Sequence, residues 1–220
     1  MGQNLQEEEA VRQAFTLIEL LVVIVIIGIL ITIVLTVPQH LITKGKITET
    51  RVFLTQITQA TEAYHDDDLA GAGDYPPTSL RAQGAGTNGV NDGIESLLAH
   101  LMSRKGGPFL TDIKPDKQIS NTDHDSITGW NPDWIFGDAK ARELCDSWGN
   151  PIVYFHNRDY RNPRSYMVRY RCANSRDQIV RPQIHRKLGT YPRFSSFMLW
   201  SFGPNGKNEN GEGDDIANWK

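Results

Sequence analysis

An α+β fold, with a long N-terminal helix packed on a small antiparallel β-sheet, is predicted by three features of this sequence. Residues 15–37 form an apolar run holding a single charge, residues 38–68 continue it with helical periodicity, and three short β-rich runs occupy the last third. The first half of the helix is expected to lie in a membrane. The remaining residues, 69–220, are expected to form one head.

The apolar run reads FTLIELLVVIVIIGILITIVLTV. As a helix it would extend about 34 Å, against a hydrocarbon core of about 30 Å. Its β-branched residues would suggest a strand in water, but in lipid only a helix satisfies its own backbone. Glu19 is the exception, a carboxylate in the first turns of an apolar span. Two readings stand: a helix-end group reaching the interface, or a charge kept because assembly supplies its partner.

Beyond Pro38, which removes a backbone donor and tends to kink a helix, Phe53, Ile57, Ala60 and Tyr64 recur on one helical face. His65-Asp66-Asp67-Asp68 reads as a solvated helix end, and Gly71, Gly73, Pro76 and Pro77 as a loop. Between 82 and 140 a short helix at Ile94–Arg104 is expected, flanked by a glycine-rich stretch and a polar one. The strands are expected at 151–155, 166–171 and 196–202, in one sheet laid on the helix.

Composition narrows the function. The hydrophobic fraction is 39%, yet mean hydropathy is −0.42, so the apolar character is concentrated in the N-terminal run. A net charge of −3 gives no basic footprint for nucleic acid. No phosphate loop, nucleophile elbow or metal triad points to an enzyme. Cys145 and Cys172 either pair, if the head lies in an oxidising compartment, or remain separate buried thiols.

The segment Ala14-Phe15-Thr16-Leu17-Ile18-Glu19-Leu20 resembles the prepilin processing motif of type IV pilin-like proteins. The resemblance implies a leader over 1–14, cleavage by prepilin peptidase between Ala14 and Phe15, and N-methylation of Phe15. It also implies that Glu19 pairs with the N-terminal amine of a neighbouring subunit, each charge offsetting the other's desolvation. Ala14 stands where the family usually has glycine. The leader holds Glu7, Glu8 and Glu9 against Arg12, while Lys44, Lys46 and Arg51 follow the run. Charge counting alone would therefore place the head in the cytoplasm, whereas the motif places it outside.

Further blocks resemble the major pseudopilin of type II secretion systems. Asp146-Ser147-Trp148-Gly149-Asn150-Pro151 is similar to that family's Asp-Pro-Trp-Gly-Asn-Pro segment, and Tyr75-Pro76-Pro77-Thr78 to its Tyr-Pro-Thr-Thr. Ser201-Phe202-Gly203-Pro204-Asn205-Gly206 with Asp214-Asp215-Ile216-Ala217-Asn218-Trp219 resembles its C-terminal calcium loop. By resemblance the calcium ligands are the Phe202 carbonyl, the Asn205 side chain, and Asp214 or Asp215. The spacing does not fit an EF-hand.

The function so implied is structural: a single-pass inner-membrane subunit with a periplasmic head, polymerising with its own copies and with minor pseudopilins on an inner-membrane assembly platform, to help drive protein export. The alternatives are a surface type IV pilus subunit, whose heads more often end in a disulfide-closed loop, and a membrane-tethered binding protein or enzyme.

Overall fold

The structure is a computed structural model that describes residues 15–35, 39–174 and 176–220. The leader, Ala14 and Pro38 lie outside the described residues. The chain divides into two compact units, residues 1–42 and 43–220.

Helix α1 spans Leu17–Leu35. Ile and Val dominate it and carry little intrinsic preference for helix, but a helix lets an apolar segment close its backbone hydrogen bonds internally. Its one polar interior group, Thr32, donates its hydroxyl to the Gly28 carbonyl at 2.8 Å. Every side chain from Phe15 to Thr32 is exposed. At about 1.5 Å per residue, α1 reaches about 28 Å, just short of the hydrocarbon core. Among the described residues no helix is long and apolar enough to cross a membrane. The expected span over 15–37 is thus described only in part, residues 36 and 37 lying outside the described residues.

Helix α2 spans Gln39–Asp66. Its inner face buries Thr50, Phe53, Leu54, Ile57, Ala60 and Thr61, the helical stripe that the periodicity predicts. The buried hydroxyls are satisfied: Thr61 donates to the Ile57 carbonyl at 2.7 Å and Thr50 to the Ser147 hydroxyl at 3.1 Å. Tyr64 packs edge-on against Phe109 and His100. Asp67 ends the helix by accepting the Leu69 and Ala70 amides at 2.9 and 2.8 Å, so the acidic run is a helix terminus, as expected.

Helix α3 covers Asp92–Leu101, somewhat earlier than predicted, and buries Ile94, Leu97, Leu98 and Leu101. A turn of helix, α4 (Pro115–Gln118), leads into β1 (Ile119–Ser120). The other strands are β2 (Glu143–Leu144), β3 (Val153–His156), β4 (Arg169–Arg171), β5 (Asp177–Ile179), β6 (Phe197–Ser201) and β7 (Ile216–Ala217).

All pairings are antiparallel. The main sheet has the order β3-β6-β7, with Val153 opposite Trp200 and Trp200 opposite Ala217. Both faces of β3 and β6 are buried, which is why they read as continuous apolar runs. Phe155 and Trp200 stack at 5.8 Å between ring centroids, each burial contributing roughly 2–3 kcal/mol. The α2 stripe, α3 and this sheet share one core.

The second predicted strand is not in this sheet. Strand β4 pairs with β5 instead, β1 pairs with β2, and β7 is the third member of the main sheet. The reason is the imperfect alternation of β4: Tyr170 points inward, while Arg169 and Arg171 face outward to Asp177 of β5 at 2.9 and 2.7 Å.

Two loops fasten these layers. Asp146 accepts the Trp148 and Asn150 amides at 2.9 Å each, and the Ser201 hydroxyl at 2.6 Å. Ser147 then donates to Glu49 of α2 at 3.0 Å. In the other loop Pro76 accepts the Tyr154 hydroxyl, Pro77 accepts that of Ser96, and Tyr75 donates to Glu62 of α2. The Trp-Gly-Asn and Tyr-Pro-Pro-Thr blocks therefore bind helix to sheet.

Candidate functional site

The first turn of α1 is closed by its own side chains. Glu19 accepts the Thr16 amide and the Thr16 hydroxyl, both at 2.8 Å on Oε2. Thr16 Oγ1 accepts the Glu19 amide at 3.3 Å. This is a reciprocal capping box, which satisfies amides that a helix start otherwise leaves unpaired. Sequence reasoning weighed Glu19 as an interfacial or an assembly charge and missed this local role. The signal was present in the Thr-x-x-Glu spacing. Phe15, the expected first residue of the mature chain, is exposed.

The second region is the loop between β6 and β7. Gly203, at φ +60°, packs against the backbone of Asp214, where a Cβ would have no room. That contact brings the two ends of the loop together. Asp214 accepts the amide of Asn205 at 3.2 Å and also its side-chain amide, and its own amide donates to Glu209 at 2.8 Å. Asp215 Oδ2 accepts the amides of Glu209 and Gly211 at 2.9 and 2.8 Å. Its Oδ1 is buried without a hydrogen-bond partner.

Glu209, Asp214 and Asp215 each place a carboxylate oxygen within 4.8 Å of the others. Burial pushes the Asp215 carboxyl up to about 7. The loop thus brings Glu209 to Asp214 and Asp215. Glu209 was visible as one oxygen-bearing loop residue but was not in the expected ligand set. Asn205 stands beside them, its Oδ1 accepting the Lys207 amide at 2.6 Å with one lone pair left over. Phe202 lies buried just before Gly203. An all-oxygen donor set with one orphaned buried oxygen fits a hard cation such as calcium.

The disulfide expected as one of two readings is not formed. Cys145 and Cys172 are both free and buried, and each has its own neighbour. The Cys145 thiol points to the Glu143 carbonyl at 3.8 Å, and Cys172 accepts the Gln178 side-chain amide at 2.9 Å. Burial pushes both thiols up, which leaves them as packing groups rather than nucleophiles.

Residues 10–35 match the model of the prokaryotic N-terminal methylation motif. The match covers the N-terminal segment and supports a type IV pilin-like subunit, with prepilin peptidase processing and filament assembly in general terms. It also suggests a membrane-anchored N-terminus. No curated protein and no solved structure matches the chain.

Proposed function

We propose that this chain is a subunit of a type II secretion pseudopilus, anchored in the inner membrane with its head in the periplasm. The observation that carries the reading is the methylation motif over residues 10–35, within which every described side chain, from Phe15 to Thr32, is exposed. Such a surface requires lipid or other apolar helices around it. A filament core built from copies of α1 supplies them. Cleavage between Ala14 and Phe15 would free an amine near Glu19 of a neighbouring subunit. Minor pseudopilins and an inner-membrane platform would be its other partners.

The C-terminal loop supports the secretion reading over a surface pilus. Glu209, Asp214 and Asp215 would hold calcium, whose charge offsets their mutual repulsion and fixes the return of the chain to β7.

The test exploits the capping box. Glu19→Gln keeps a capping side chain but removes the charge. Crosslinking of the full chain in membranes should then lose its ladder of multimers by about tenfold or more, a loss of about 1.4 kcal/mol in association. Thr16→Ala, which weakens the cap by about 1 kcal/mol, should leave the ladder visible. A Glu19→Gln ladder equal to the parent's would overturn the assembly role. Loss of exported protein on deletion, with surface fibres unaffected, separates a pseudopilus from a pilus.

A further inference from the structure

A second carboxylate cluster shares no residue with that of the C-terminal loop and joins α3 to the loop between β1 and β2. Glu95, in the first turn of α3, is 0% exposed, and neither of its oxygens has a hydrogen-bond partner. Facing it are Asp123 and Asp125, from the loop between β1 and β2. Each has one oxygen, Oδ1, buried and without a partner. One oxygen from each of the three carboxylates lies within 4.8 Å of the other two.

The surroundings are built rather than accidental. Asn88 donates its side-chain amide to Asp123 Oδ2 at 2.9 Å and its backbone amide to Asp125 Oδ2 at 3.3 Å. Asn121 braces the loop by accepting the Asp125 amide at 3.1 Å and donating to the Asp125 carbonyl at 2.8 Å. Each aspartate is thus held by one oxygen, while the other remains free within the cluster. The neighbouring acids are fully engaged. Asp92 accepts the hydroxyls of Ser79 and Thr87, and Glu143 accepts the Asn91 side-chain amide and the Thr122 amide. Among the described residues no Lys or Arg bridges Glu95, Asp123 or Asp125.

Buried oxygens without partners are costly, and a converging set of them calls for a positive guest. We propose that Glu95, Asp123 and Asp125 form a binding site for a hard divalent cation, calcium in preference to magnesium. The donors are all oxygen, with no His or Cys among them, which disfavours zinc. Both oxygens of Glu95 are free, as a bidentate ligand requires. Calcium accepts such a ligand in an irregular shell of six to eight oxygens, whereas magnesium demands a near-octahedral one. Burial and the carboxylates of Asp125, Glu143, Asp123 and Asp92 push Glu95 well above its usual range, in keeping with a pocket short of positive charge. A bound ion would tie α3 to the β1–β2 loop.

The site is tested on the full chain in detergent, stripped with a calcium chelator and dialysed against calcium chloride, with bound calcium measured by elemental analysis. Glu95→Gln should lower bound calcium by one ion per chain, whether or not the C-terminal loop also holds one. A chain carrying Asp214→Asn and Asp215→Asn should keep one ion, and adding Glu95→Gln should remove it. Magnesium at equal concentration should compete at least tenfold less well. Unchanged stoichiometry in Glu95→Gln, or no ion in the Asp214→Asn, Asp215→Asn chain, would overturn the site. If circular dichroism shows that Glu95→Gln does not fold, Asp125→Asn on the partly exposed loop gives the same comparison. Filament assembly is read separately through Glu19, so either result stands without the other.

Discussion

The two carboxylate clusters of the head look alike in composition and differ in how their oxygens are spent. In the C-terminal loop most are occupied by the loop's own amides: Glu209 by Asp214, and Asp215 by Glu209 and Gly211. In the α3 cluster Glu95 has nothing on either oxygen, and each aspartate has one oxygen empty-handed. A carboxylate that accepts backbone amides shapes a loop by itself. One that accepts none is a liability until a cation arrives. The number of acids near one another therefore says less than the number of their oxygens left over.

Buried acids of known satisfaction sharpen that contrast. The largest effect is expected at Asp146, whose three hydrogen bonds hold the Trp148 turn to β6. Asp146→Ala should cost about 3 kcal/mol in chemical denaturation, with or without calcium. Gly203→Ala comes next. It places a Cβ against the Asp214 backbone at a positive φ and should cost about 2 kcal/mol, lowering any calcium affinity of that loop with it.

Glu95→Gln should be smaller and should change sign. In chelator it removes a carboxyl that burial makes costly to ionise and stabilises the fold by about 1 kcal/mol. In excess calcium the parent should become the more stable protein. Melting curves in both conditions check the crossing, and a variant less stable than the parent in chelator would break the comparison. Asn88→Ala, which frees Asp123 Oδ2, should lower stability by about 1 kcal/mol and weaken calcium binding at Glu95 alone.

How much of this was legible follows the distance along the chain. The α2 stripe at Phe53, Ile57 and Ala60 is a local period, and β3 and β6 announce themselves as apolar runs, so both were readable. The partner of β4 was not, because its pairing with β5 depends on outward arginines meeting Asp177. The C-terminal cluster was mostly readable since Glu209, Asp214 and Asp215 share one loop. The α3 cluster was not. Glu95 looks like an ordinary polar residue of a short amphipathic helix, and only the fold brings it to Asp123 and Asp125. The capping box was local, and was hidden by a stronger reading of the same glutamate.

That capping box bears on how a subunit would join a filament. The first turn of α1 is already finished in the single chain, with Glu19 turned back on Thr16. A newly arrived neighbour would meet a formed helix start and would not have to order a loose one. Whatever amine Glu19 then meets must outcompete two existing hydrogen bonds. Docking at this end becomes an exchange of partners, whose free energy is a difference between two bonded states. An exchange of that kind is readily reversed, so the proposed assembly would carry its own route to disassembly at the same contact.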